Sequence, residues 1–179
     1  MINLTVAALG VMENESPSLD TAITKDNNGF RVCFGINEQY YPDNQIFDAP
    51  PEKRTAIATD FYIGLAKTYS LDQLTSQALL NRILDAITDP GPGAAGKCLQ
   101  QVINQYTGAT DLVKIDSQIG PKTIKAVNDI LKEEIAYPTE WRFLSVYREA
   151  LCFYFNNRVL VDRNNLIYLP GWIKRVTTT

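Results

Sequence analysis

Histidine is absent from all 179 residues of this chain. Its absence excludes Ser–His and Cys–His nucleophile pairs, histidine-ligated zinc sites and imidazole acid–base catalysis. Any acid–base chemistry near neutral pH must therefore use carboxylates, lysine, tyrosine or cysteine side chains.

Cysteine is scarce. Cys33, Cys98 and Cys152 are widely spaced and form no C-x-x-C pair. An odd, scattered set of cysteines predicts neither a disulfide framework nor a zinc cluster. We expect all three to be reduced core residues of a protein made in a reducing compartment.

Long apolar runs and basic clusters are missing as well. No stretch approaches the roughly 18 consecutive apolar residues that predict a transmembrane helix, and residues 1–10 lack the basic region of a secretory signal. Because no run of five or six basic residues occurs, nucleic acid is an improbable partner. We therefore expect no stable membrane insertion. If the protein acts outside the cytoplasm, we expect that another agent delivers it there.

The composition that remains is that of a globular protein, with 45% hydrophobic and 21% charged residues. The net charge of −3 is distributed unevenly. Residues 1–90 contain 6 basic and 12 acidic residues, whereas residues 91–179 contain 11 and 8. The second part is therefore better suited to an anionic partner.

Apolar spacing predicts a mostly-α fold with one small β ribbon near residues 29–36, where a β-rich run lies between glycines. The first helix begins near Leu4 and should end at residues 14–17, because Pro17 cannot continue it. Further helices are predicted over residues 52–69, 70–88, 94–106, 120–136 and 140–159. Short loops join them, so we expect the two halves of the chain to pack together.

Three motifs in the later part of the chain resemble those of one enzyme family. Residues 83–100 read ILDAITDPGPGAAGKCLQ, residues 116–127 read DSQIGPKTIKAV and residues 169–176 read LPGWIKRV. In order and spacing they are similar to the motifs F-D-x-x-V-N-x-G-P-x-x-A-x-x-L-Q, D-G-x-I-G-P-x-T-x-x-A and F-x-x-G-W-x-x-R-V of the family-108 glycoside hydrolases.

This resemblance implies an N-acetylmuramidase with a lysozyme-like helical fold, of the kind found in phage endolysins. It implies a catalytic part at residues 1–92 and a peptidoglycan-binding-like part at residues 93–179. In that family the first helix ends in a catalytic glutamate, which matches Glu15, and a following D-x-G-G-x-T-x-x-G-I segment is similar to residues 26–36. This chain departs from the family pattern in having Ser16 and Pro17 where two glycines are expected, and Val32 where a threonine is expected.

The chemistry of glycoside hydrolysis agrees with a role for Glu15. The reaction needs one protonated carboxylic acid and one second carboxylate. A carboxylate at a helix C-terminus faces the negative end of the dipole, which favours its protonated form. Asp26, in a polar loop before the ribbon, is the predicted second carboxylate and is expected to remain ionised.

Other assignments remain open. Glu13 is the main competitor for the acid, Asp26 is equally well explained as a turn residue, and Asp20 is a weaker second carboxylate. Sugar rings stack on aromatic faces, so Tyr40, Tyr41 and Tyr62 are predicted to bind substrate, although most tyrosines are scaffold residues. Asp85 and Asp89 are expected to be cap or turn residues that shape the cleft floor, with Asp89 contacting substrate.

Together these features predict a monomeric peptidoglycan hydrolase that cleaves the β-1,4 bond between N-acetylmuramic acid and N-acetylglucosamine. The predicted enzyme needs no metal or organic cofactor, and it waits in a phage host's cytoplasm before reaching the cell wall. The alternatives are an inactive peptidoglycan-binding or virion structural module, and a lytic transglycosylase, which needs only one carboxyl group.

Overall fold

A computed structural model of the protein describes residues 1–109, 111–132 and 139–178. Over these residues the chain is mostly helical with one three-stranded antiparallel sheet, so the predicted fold class is confirmed. The helices are α1 (Leu4–Glu15), α2 (Pro51–Thr68), α3 (Gln77–Thr88), α4 (Pro92–Thr107), α5 (Pro121–Lys132), α6 (Thr139–Val161) and α7 (Leu169–Thr178), and the strands are β1 (Thr24–Lys25), β2 (Arg31–Cys33) and β3 (Ile36–Asn37). Short 3₁₀ helices cover Gln45–Phe47, Leu71–Gln73 and Arg163–Ile167.

Helix α1 begins and ends where the sequence predicts. The Asn3 side chain accepts hydrogen bonds from the backbone N–H groups of Thr5 and Val6, which caps the N-terminus. At the other end the Ser16 N–H donates to the Met12 carbonyl, and Pro17 follows. Glu15 is consequently the last residue of the helix.

The ribbon is longer than the predicted residues 29–36, since it begins at Thr24 and ends at Asn37. Thr24 pairs with Val32, which in turn pairs with Asn37. The turn between β2 and β3 is tight, with positive φ angles of 50° at Phe34 and 78° at Gly35.

The prediction of one helix over residues 70–88 is wrong. Ser70 has a φ of 59°, a short 3₁₀ helix follows, and Leu74 is extended, so α3 begins only after Ser76. The Ser76 hydroxyl accepts a hydrogen bond from the Leu79 N–H and is the true cap. For α5, the predicted end at residue 136 lies outside the described residues.

A single hydrophobic core runs through both parts of the chain. Helix α3 contacts α1 and α4, α4 contacts α6, and α6 contacts α7. Cys33 and Cys98 are buried as predicted, and Cys152 is half-buried. Residue 92, the predicted boundary between two parts, is the first residue of α4, and the core continues across it.

None of the described helices combines the length and the apolar character that crossing a membrane requires.

Candidate active site

Glu15 lies against the β ribbon. Its side chain is 21% exposed. A Cβ atom on Gly35 would lie 2.5 Å from Cγ and 2.9 Å from Oε2 of Glu15, so the ribbon approaches this closely only because position 35 is glycine. The carboxyl group is therefore held between the end of α1 and the β2–β3 turn.

Arg175 of α7 binds the same carboxyl group from the other side. Its Nη1 atom lies 2.6 Å from Oε1 of Glu15, and the Arg175 side chain is 15% exposed. The ion pair joins the first helix to the last one.

Asp85 is the buried centre of this ion-pair network. Its side chain is 3% exposed, and it accepts hydrogen bonds from Nε and Nη2 of Arg175, from Arg82 and from the Asn14 amide. Arg82, which is 1% exposed, also donates to the Arg175 carbonyl at 2.9 Å. The expectation that Asp85 is a cap or turn residue is therefore wrong, because it lies inside α3 and fixes Arg175.

Asp89 is the third carboxylate of the network and forms the C-cap of α3. Its Oδ2 atom lies 3.9 Å from Nη1 of Arg175, and its side chain is 28% exposed. Burial raises the pKa of Asp89, and the Glu15 carboxylate acts in the same direction, while Arg175 partly offsets both.

The network combines negative and positive groups. Ion pairs within 4 Å connect the three carboxylates of Glu15, Asp85 and Asp89 to the two guanidinium groups of Arg82 and Arg175. Arg158 also acts electrostatically on Asp89, so the charges of this cluster are largely balanced. Within it, burial raises the pKa of Asp89, so Asp89 is the carboxyl group whose protonated form the site favours.

Asp26 begins the turn between β1 and β2. Its Oδ1 atom accepts from the N–H groups of Asn28 and Phe30, and its Oδ2 atom accepts from the Asn37 amide at 2.9 Å. The Asn37 hydrogen bond, helped by the backbone donors, holds the pKa of Asp26 below its usual value. Asp26 therefore stabilises the turn, and its lowered pKa keeps its side chain ionised. It belongs to the same ribbon that contacts Glu15.

The three predicted sugar-binding tyrosines differ in their surroundings. Tyr40 is 71% exposed, and Tyr41 is 39% exposed with its ring edge-on to Phe61. Tyr62 is only 1% exposed, and its hydroxyl donates to the Phe34 carbonyl at 2.7 Å. The prediction for Tyr62 is corrected: its ring is unavailable for stacking, and it supports the β2–β3 turn from within the core.

A cavity of about 550 Å³ opens beside the ion-pair network, at α7. Asp89 and Arg175 line it together with Glu13, Tyr168 and Trp172. Glu13, the alternative acid, is exposed and faces this cavity. Asp20, the alternative second carboxylate, is exposed and accepts a hydrogen bond from the Ala22 N–H.

A second cavity, of about 1020 Å³, lies between the loop before α5 and α5 itself. Three lysines line it, namely Lys114, Lys122 and Lys125. The Gln100 side chain holds the loop by accepting from the N–H groups of Asp116 and Ser117 and donating to the Asp116 carboxylate. Asp116 and Asp129 line the groove as well, and Asp129 forms an ion pair with Lys125, so the motif at residues 116–127 is the wall of a groove with mixed charges.

The role of Arg175 was not predicted from the sequence, where this residue stands only as part of a motif. Two signals pointed towards it. Arg175 lies in the G-W-x-x-R motif, and α3 carries an Arg82–Asp85 pair with i, i+3 spacing on an apolar helix face. Within the described ranges, no group of three or more histidine, cysteine or carboxylate side chains is arranged to hold a metal ion.

No family model, curated protein or solved structure matches this chain, so the resemblance of its motifs to family-108 glycoside hydrolases stays a prediction.

Proposed function

We propose that this protein is a peptidoglycan hydrolase that cleaves the β-1,4 bond between N-acetylmuramic acid and N-acetylglucosamine. Glu15 is the proton donor and Asp26 is the second carboxylate. One observation carries the proposal: the Glu15 carboxyl group lies against Gly35, on the same small ribbon that holds Asp26.

The two carboxyl groups have different surroundings, as an acid and a base need. Glu15 lies at the end of α1 in a cluster with Asp85, Asp89 and Arg175, and its side chain is only 21% exposed. Asp26 is hydrogen-bonded by an amide and two backbone N–H groups, which stabilise its charged form. In this proposal Glu15 supplies the proton to the leaving oxygen, and Asp26, whose pKa is lowered, stays ionised.

Arg175 and Asp85 act as positioning residues for Glu15 in this proposal. Arg175 binds both carboxylates, and Asp85 is buried, so moving the guanidinium group would remove one of the two cations that neutralise a buried charge. A fixed acid is useful because general-acid catalysis depends on the proton lying close to the leaving oxygen. Exposed Tyr40 and Tyr41 are the proposed glycan contacts, and Asp89 binds substrate through the cavity at α7.

The test is lysis of purified sacculi by wild type, Glu15→Gln and Glu13→Gln. General-acid assistance contributes about 10² to 10⁴ in rate, so Glu15→Gln should lose that much lytic activity. Glu13→Gln is the matched control and should stay within about twofold of wild type. If Glu15→Gln lysed sacculi as fast as the wild type and Glu13→Gln lost activity, the proton donor would instead be Glu13, in the cavity at α7.

A non-catalytic wall-binding or virion structural module is the second candidate, and one observation favours it. The 2.6 Å ion pair with Arg175 occupies Oε1 of Glu15, an oxygen that a proton donor would have to present to the substrate. Zymography on peptidoglycan separates the two functions, because such a module would sediment with sacculi and leave no cleared band. Mass spectrometry of the products then separates a hydrolase from a lytic transglycosylase, which leaves 1,6-anhydro ends.

We further propose that the protein is a monomeric phage endolysin held in the host cytoplasm until it is released towards the cell wall. The peptidoglycan glycan strand is its partner, and the lysine-lined groove beside α5 contacts the wall. Three lysines against two aspartates in its lining give a small excess of cations, which suits the anionic character of that partner.

A further inference from the structure

Large apolar side chains are exposed where α6 turns towards α7. The group, which we call the apolar corner, consists of Leu160, Val161, Leu166, Ile167 and Tyr168. Their exposed fractions are 80%, 89%, 58%, 76% and 46%. Clusters of exposed apolar side chains mark sites of contact with another molecule or with a membrane.

The backbone of the apolar corner is fixed by local hydrogen bonds. The Asp162 N–H donates to the Arg158 carbonyl at the end of α6, and the Asp162 side chain caps the 3₁₀ helix by accepting from the Asn164 N–H. The Trp172 N–H donates to the Tyr168 carbonyl at the start of α7. The corner is therefore an ordered projection of the fold.

The inner side of the same corner is already filled. The Trp172 ring stacks on Phe155 with centroids 4.8 Å apart, and the Arg158 guanidinium group lies 4.9 Å from the Trp172 centroid. Tyr168 packs against Trp172 with ring centroids 5.8 Å apart, and Ile167 and Tyr168 border the cavity at α7. Leu160, Val161 and Leu166 are more than half exposed and are available for an external contact.

Basic residues predominate in the segment of chain that carries the apolar corner. Arg158, Arg163 and Lys174 lie in it, and Asp162 is the only acidic residue between positions 153 and 178, although Glu13 and Asp89 line the cavity that Ile167 and Tyr168 border. The whole chain has a net charge of −3. This local excess of basic residues around an apolar projection is complementary to a surface that has anionic groups above an apolar layer.

We propose that the apolar corner docks the protein on an anionic phospholipid bilayer, with its side chains in the interfacial layer and Arg163 and Lys174 among the headgroups. A bilayer fits a projecting corner because lipids rearrange around it. A second copy of the chain would instead need a complementary face of about 800 Å² per partner. Tyr168, with an apolar ring and a polar hydroxyl, suits the boundary between headgroups and acyl chains.

The experiment is flotation of the full chain with vesicles of phosphatidylglycerol and phosphatidylcholine, or of phosphatidylcholine alone. The wild type should bind the anionic vesicles at least tenfold more tightly, and high salt should weaken this binding. The double variant Leu160→Ser, Ile167→Ser should lose at least tenfold in binding to the anionic vesicles. Arg163→Gln combined with Lys174→Gln should weaken binding and reduce its dependence on salt.

The matched control is the double variant Val6→Ser, Ile115→Ser, which removes two exposed apolar side chains, 48% and 46% exposed, in α1 and in the loop before α5. It should bind vesicles like the wild type, and thermal melting should show that both double variants fold.

The proposal would be overturned if the wild type did not float with anionic vesicles, or if the Leu160→Ser, Ile167→Ser variant floated like the wild type. A wild-type dimer in sedimentation equilibrium that the corner variant abolishes would assign the corner to a second copy. These outcomes are independent of lytic activity, so the muramidase proposal is tested separately.

Discussion

The guanidinium group of Arg175 binds Glu15 and Asp85 simultaneously, with Nη1 2.6 Å from Oε1 of Glu15 and Nη2 2.7 Å from Oδ1 of Asp85. One side chain from the last helix therefore positions the proposed acid and neutralises a buried carboxylate. Its stabilising role and its role at the site can be separated by experiment.

Replacing Arg175 with methionine should lower the free energy of unfolding by about 3 kcal/mol, because Asp85 would keep a buried charge with a main partner removed. Urea unfolding measures this loss. Lys174→Met, the exposed neighbour, is the control and should change stability by less than about 0.5 kcal/mol. An Arg175→Met protein as stable as wild type would show that the ion pair does not hold α7 in place.

Gly35→Ala should be more destabilising than Gly29→Ala. Both glycines have positive φ angles, 78° and 87°, so each alanine incurs about 1–2 kcal/mol of backbone strain. At Gly35 the added Cβ would also lie 2.5 Å from Cγ of Glu15, whereas nothing lies within 4 Å at Gly29. The steric clash should add about 1–3 kcal/mol and displace Glu15, so lysis should fall only in Gly35→Ala.

Thermal melting and sacculus lysis of the two alanine variants together check this difference. Equal losses of stability in both would mean that backbone strain alone accounts for the effect and that Glu15 moves away at little cost.

Tyr62→Phe should lower the free energy of unfolding by about 1–2 kcal/mol, because the buried Phe34 carbonyl would lose the hydroxyl donor 2.7 Å away. Tyr40→Phe is the control on an exposed ring and should change stability by less than about 0.5 kcal/mol. Chemical denaturation measures both. A Tyr62→Phe variant with unchanged stability but weaker glycan binding would restore Tyr62 as a substrate contact.

Asp89→Asn should gain stability relative to wild type as the pH rises. Burial raises the pKa of folded Asp89 above its usual 3.8, so the folded state binds a proton more tightly than the unfolded state does. Ionising Asp89 therefore lowers the stability of the wild type between about pH 3.8 and the folded pKa. The asparagine variant lacks this decrease, and melting curves of both proteins from pH 3 to pH 7, roughly the range in which carboxyl groups titrate, measure it.

Asp26→Asn should change the pH dependence of stability in the opposite direction to Asp89→Asn. The pKa of folded Asp26 lies below its usual 3.8, so its contribution to stability is present above that pH and is lost as the pH falls through the folded pKa. The variant should therefore lose stability relative to wild type as the pH rises. The same sign in both variants would contradict the assignment of one raised and one lowered carboxyl pKa.

Much of the architecture could be predicted because local signals determine it. Apolar periodicity identified α1, α2, α4 and α6, and Pro17 fixed the end of the first helix. The break before α3 could not be predicted in the same way. Residues 70–76 contain helix-compatible residues, and only the turn at Ser70 and the cap at Ser76 select a separate start.

For the candidate site, the sequence by itself determined where Glu15 and Asp26 lie, at a helix end and in a polar turn. Only the tertiary structure decided which groups surround them. Arg175 is 90 positions from Asp85 along the chain, and the contact of Glu15 with Gly35 depends on how the ribbon packs against α1. Tyr62 and Tyr40 are the same residue type, yet folding buries one ring and exposes the other. Spacing along a chain encodes periodicity and caps, whereas burial and ion pairing depend on segments far apart in sequence, and these arise only when the core closes.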